Sequence, residues 1–195
     1  MKKSIIFLSA LMLCIAVNAQ WKAQTADTYE KTYRMAFVTS KSGGETLRIM
    51  RDITPGTAQK GTSPYDQISG QILLNKNVGT EYKVLTIVLR FDESTKMYIH
   101  QPADLKQGWD SGSGRYIIES DWKIWRTGDT RNKNAGRQAE NAGAELKKEI
   151  LDLMKSGKKI NCQIVLLHRI HDTQNVINSE FTLQNSTKSI NYLFL

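Results

Sequence analysis

Cysteine is scarce in this chain. There are two in 195 residues, Cys14 and Cys162, beside three histidines and three prolines. A disulfide-stapled scaffold is excluded, so the fold must be held by its core. No Cys-x-x-Cys or His-x-Glu spacing supports a zinc site, and no metal is expected. Gly-x-Ser-x-Gly is missing, and Gly112-Ser113-Gly114 is too short to be a nucleophile elbow or a phosphate cradle, so no cofactor is expected. The formal charge of +8 is spread along the chain without a basic stripe, which argues against nucleic acid as a partner. There is no internal repeat and no low-complexity tract.

The one long apolar run stands at the start. Lys2 and Lys3 precede Ile5 to Val17, broken only by Ser9, and Val17-Asn18-Ala19 offers small residues at the −3 and −1 positions of a cleavage site. This is the layout of a secretory signal peptide, residues 1–19. At about thirteen residues the run is short for a bilayer, which needs roughly 20, so no transmembrane segment is expected after cleavage. Cys14 follows Leu13, a poor lipobox, so plain cleavage after Ala19 is expected ahead of lipidation. The expected destination is the periplasm or the medium.

After a flexible lead-in at 20–28, residues 29–195 read as a single β-rich domain. Tyr29, Tyr33, Met35 and Phe37 share one parity, and a turn at 40–44 leads into a second strand, Thr46 to Arg51, making a hairpin over 29–51. Pro55, Gly56, Gly61 and Pro64 mark a loop at 52–67. Ile68 to Lys76 and Tyr82 to Phe91 form the next pair, and Val84 to Phe91 is apolar on both faces, as a central strand requires. A strand over 96–100 and a loop over 101–114 precede an alternating run from Arg115 to Trp125. Ala139, Ala142, Leu146, Ile150 and Leu153 form the apolar stripe of a helix near 139–156, with Gly157 at its C-cap. Lys159 to Ile170 turns back into Val176 to Gln184. The tail, 186–195, fits a short helix capped by Ser186 or an alternating strand. The fold class is therefore mainly β, an antiparallel sandwich or barrel of about eight strands with one packed helix.

Three segments of the second half resemble small secreted envelope proteins of the invasion-associated locus B type. They are Leu89-Arg90-Phe91-Asp92, Glu149 to Lys158, and Glu180-Phe181-Thr182-Leu183 with Ser186 to Ile190. The resemblance implies an envelope β-sandwich and brings no catalytic residues; the cysteine pair of that group is absent here. The apolar run into Gln20 also resembles the leaders of secreted Bacteroides-type proteins.

The candidate chemistry is thin. Cys162 lies in an apolar run and reads as a small buried hydrophobe. His168 and His171 should point to opposite sides of an extended chain. Ser113 with Asp110 and His100 is the only conceivable triad, and Glu119 with Asp121 the only carboxylate pair on one strand face. Trp122 shares its parity with Ile118 and Ile124 and reads as core. The expected ligand-binding residues are Trp125, Arg126, Trp109 and Tyr98, because exposed aromatics on a sandwich stack on sugars and peptides. The expected function is a non-enzymatic binding or interaction protein of the cell envelope, whose partner is an envelope protein, glycan or peptide. A glycan or peptide hydrolase, or an inhibitor of another secreted protein, are the alternatives. An open sheet edge would leave room for an oligomer.

Overall fold

The computed structural model describes residues 20–56, 62–75, 78, 81–110, 113–127 and 138–195; residues 1–19, expected to be a signal peptide, and the middle of the 52–67 loop lie outside them. Among the described residues, eleven strands form two antiparallel sheets, not closed into a barrel. The first sheet takes β1 (Lys22–Asp27), β2 (Thr32–Thr39), β3 (Thr46–Asp52), β4 (Ile68–Leu74), β8 (Arg115–Ser120) and β7 (Lys106–Asp110), in that spatial order. The second takes β11 (Gln174–Thr182), β10 (Lys159–His168), β5 (Tyr82–Phe91), β6 (Tyr98–His100) and β9 (Ile124–Arg126). The helices α1 (Gln138–Ser156) and α2 (Ser186–Tyr192) pack on each other, and α2 also reaches β1 and β2.

One apolar cluster fills the space between the sheets. The first sheet contributes Ala36, Val38, Leu47, Ile49, Ile72 and Ile118 to it, and the second contributes Ile87, Leu89, Phe91, Ile160, Ile164 and Phe181. Helix α1 adds Ile150, Leu151 and Met154, and α2 adds Ile190. The expected central strand is central: β5 lies between β10 and β6. Lys147 of α1 is buried too, and its ammonium donates to the carbonyl of Ile68 at 2.8 Å, tying the helix to β4. Gly157 ends α1 because of close approach, not a left-handed turn. A Cβ there would lie 2.8 Å from the Leu153 carbonyl oxygen and 2.9 Å from Leu183 Cδ1.

Several expectations are corrected. Residues 22–27, read as a flexible lead-in, form β1 and pair along their length with β2. The supposed pair Ile68 to Lys76 and Tyr82 to Phe91 is divided between the sheets, as β4 and β5. The run Arg115 to Trp125 is two strands. β8 ends at Ser120, Trp122 adopts φ 59°, and β9 continues in the other sheet. The loop 101–114 contains β7. In β2 the core face is Ala36 and Val38, so Tyr33, Met35 and Phe37 face away from the second sheet, and Tyr29 is wholly exposed. The tail resolves as helix, entered through Asn185 at φ 63°, while the Ser186 hydroxyl donates to the Met154 carbonyl.

Cys162 faces the core from β10, as expected. Burial pushes its thiol up to about 12, which removes the reactive thiolate at neutral pH. Native protein is expected to leave a thiol-reactive dye unmodified at pH 8 and to react stoichiometrically in urea; fast native labelling would contradict the burial.

Candidate functional site

The outer face of the first sheet carries an open cleft of about 500 Å³. Strand register builds it. Met35 lies opposite Met50, and Met50 opposite Ser69, giving a thioether floor across β2, β3 and β4. The next row is polar: Arg48 opposite Gln71, Gln71 opposite Glu119, and Glu119 opposite Lys106. Gln71 joins that row, accepting from Arg48 at 3.4 Å and donating to Glu119 at 2.8 Å. Tyr33 and Lys31 close one end, with Lys31 paired to Asp52 at 3.1 Å. Asp104, Ser120 and Asp121 close the other. Among the described residues, Lys106 and Asp121 form no ion pair and no side-chain hydrogen bond. One cation and one carboxylate are thus available to a ligand at the same end.

Behind that end sits a buried polar cluster of His100, Ser120 and Asp104. The Ser120 hydroxyl donates to Asp104 Oδ2 at 2.6 Å and receives the Trp122 N–H at 2.9 Å. His100 Nδ1 is 2.8 Å from the same oxygen. A hydroxyl has one proton, here committed to Asp104, so His100 must be the donor and carries its proton on Nδ1. Burial pushes the imidazole down to about 4, against the opposing pull of the Asp104 carboxylate. Asp104 also accepts the Asp121 and Lys123 N–H groups at 3.2 and 3.0 Å.

These residue types are those of a serine hydrolase, but the order is different. In a nucleophilic triad the histidine stands between serine and carboxylate and takes the serine proton. Here the serine stands in the middle, with its proton and both lone pairs engaged. The cluster shapes the chain: it holds the β8–β9 turn and supports the left-handed Trp122. Gly70 belongs to the same construction, because the Trp122 indole lies directly over it.

No family model, curated protein or solved structure matches this chain. The site therefore has to be judged on its own geometry.

Of the four residues expected to bind a ligand, Tyr98 and Arg126 meet across β6 and β9 at Glu149, but they do not join Trp125 and Trp109 in one exposed site. Tyr98 is 1% exposed; its ring packs edge-on against Phe91 and its hydroxyl donates to Glu149 at 2.7 Å, so it is core. Arg126 on β9 pairs with the other oxygen of Glu149 at 2.5 Å. Trp125, 41% exposed, stands on the outer face of the second sheet opposite Ile99. Trp109, 56% exposed, is on β7 in the first sheet. Trp122 is core, as expected.

The other candidates also fall differently. Ser113 does donate to Asp110 at 2.7 Å, but His100 is buried in the cluster with Ser120, so that triad does not assemble. Glu119 and Asp121 both line the cleft, with Asp121 beyond the end of the strand. His168 and His171 meet with rings stacked at 4.6 Å, because the chain turns at Asp172 and is not extended there. No group of metal-ligating side chains occurs among the described residues. Sequence reading missed Met35, Met50, Arg48 and Gln71. Their only signal was a period of two along β2, β3 and β4, and it becomes informative once the register is known.

Proposed function

We propose that this is a secreted, non-enzymatic binding protein of the cell envelope, and that its ligand lies in the cleft on the first sheet. The cleft itself supports this reading: a methionine floor bounded by both signs of charge. Thioethers adapt to apolar side chains of varied shape. Unpaired Lys106 and Asp121 suit the mixed charges of an extended peptide. A glycan would call for an aromatic platform, and Tyr33 is the one ring in the lining. Trp125 lies on the outer face of the other sheet, away from the cleft. Secretion rests on the signal-peptide pattern of residues 1–19. No helix among the described residues is long and apolar enough to cross a membrane.

The test is fluorescence anisotropy with two labelled probes, a panel of unstructured hexapeptides and muropeptides from digested peptidoglycan. The expected result is binding to a subset of the peptides that weakens about tenfold, or roughly 1.4 kcal/mol, when Lys106→Glu and Asp121→Lys are combined. Trp125→Ala should leave it unchanged. Absence of binding, or indifference to the charge exchange, overturns the reading. A hydrolase is the second reading, favoured by Glu119 and Asp121 on one cleft; probe turnover abolished by Glu119→Gln would establish it instead.

A further inference from the structure

Strand β11 is the edge of the second sheet and runs for nine residues. Its backbone direction can be fixed from two bonds. The Leu183 N–H donates to the Lys158 carbonyl, continuing the ladder towards β10, whereas the Glu180 carbonyl accepts the Lys41 N–H from outside. An antiparallel strand alternates, so odd positions from Asn175 to Phe181 face β10 and even positions face away. The N–H and C=O groups of Val176 and Asn178 therefore point outward, and no described residue pairs with them.

Edges of this kind are normally blocked by charge, proline or brevity. From Thr173 to Ser179 there is no charged residue and no proline. The other edges differ. β9 has three residues; β7 begins at Lys106 and ends at Asp110; α2 reaches β1, where Thr25 hydrogen-bonds Tyr192. Val176 adds an exposed apolar side chain at the middle of the open stretch.

We infer that β11 pairs with β11 of a second copy, antiparallel, about a two-fold axis at Val176. The Lys41 contact at Glu180 decides the register. An axis at Ile177 would require Glu180 to face Gln174 of the second copy, where Lys41 already stands. An axis at Val176 uses only residues 174–178. Val176 then exchanges both backbone bonds with its own copy, and Gln174 exchanges both with Asn178. No charged side chain is involved: Gln174 faces Asn178, Asn175 faces Ile177, and valine faces valine. The two five-stranded sheets become one continuous sheet. A strand-to-strand contact of this size belongs to the small class of interfaces, so affinity should be roughly micromolar.

Sedimentation velocity over a concentration series tests this. The purified protein should shift from monomer to dimer. Val176→Pro removes an outward N–H and leaves every bond to β10, as edge strands tolerate. It should weaken dimerisation by about tenfold or more with unchanged far-UV circular dichroism. Val176→Lys, which sets like charges against each other at the axis, should do the same and decides the matter if the proline variant fails to fold. A wild type that stays monomeric at about 0.5 mM overturns the inference. So does a folded variant that dimerises as well as wild type.

Discussion

Gly70→Ala is expected to cost about 3 kcal/mol of stability, the upper end of what overpacking a core produces. A Cβ at position 70 would sit 2.0 Å from Trp122 Nε1 and 2.9 Å from both Cδ1 and Cε2. The indole cannot step aside cheaply. It is buried, and its backbone is fixed by the bond to Ser120 at a φ that costs an L-residue about 1 kcal/mol or more. Trp122→Ala alone should cost about 3–5 kcal/mol, as large-to-small core changes do. The double variant should cost little more than Trp122→Ala, since the clash disappears with the ring. Urea unfolding of the four proteins measures this; additive losses would show that the two positions are not in contact.

Acid should destabilise the protein well above the carboxylate range, through His100. The group is held neutral in the folded state with its pKa down at about 4, against an ordinary 6.5. Between those values the unfolded chain takes up a proton that the folded chain refuses. The stability contributed by a neutral His100 is therefore whole above pH 6.5 and is lost as pH falls through 4. The full loss is about 3 kcal/mol, from 1.36 kcal/mol per unit. Asp52, Glu149 and Glu180 have lowered pKa values and lose their contributions at lower pH. The interval from 6.5 to about 4.5 therefore isolates the histidine. His100→Gln keeps a donor towards Ser120 and cannot be protonated. Its urea midpoint should be lower than wild type at pH 7 but flat down to pH 5. A wild-type slope in that variant would place the acid sensitivity elsewhere.

The elements that could be read from sequence are those whose partners lie close along the chain. The β2–β3 and β10–β11 hairpins follow from alternation and short turns, and α1 from a stripe at helical spacing. The core positions of β10 are legible because apolar side chains recur at period two from Ile160 to Leu166, whereas β5 is apolar on both faces and its core face is not. Where two equally good partners exist, the reading fails. Tyr33, Met35 and Phe37 are more apolar than Arg34, Ala36 and Val38, yet the smaller residues face the core. The space between the sheets at that point takes the small Ala36 and Val38, which are wholly buried, while Tyr33 and Met35 line the cleft on the other face. Trp122 and Trp125 are three residues apart, so alternation alone places one inside and one out, but only the structure shows that the chain turns at Trp122 and leaves one sheet for the other.

The sequence by itself determined a β-rich chain with one long helix, an interior cysteine and too few cysteines for the core to be stapled. Those properties depend on local period and composition. Tertiary structure alone decided which sheet each strand joins, which face of β2 is buried, and that His100, Ser120 and Asp104 meet in an order unsuited to nucleophilic attack. It also placed Met35, Met50, Gln71 and Glu119 in one cleft. Backbone hydrogen bonds are satisfied equally well in either sheet. The choice therefore falls to side-chain volumes and registers set by residues far away in the chain, which no local window contains.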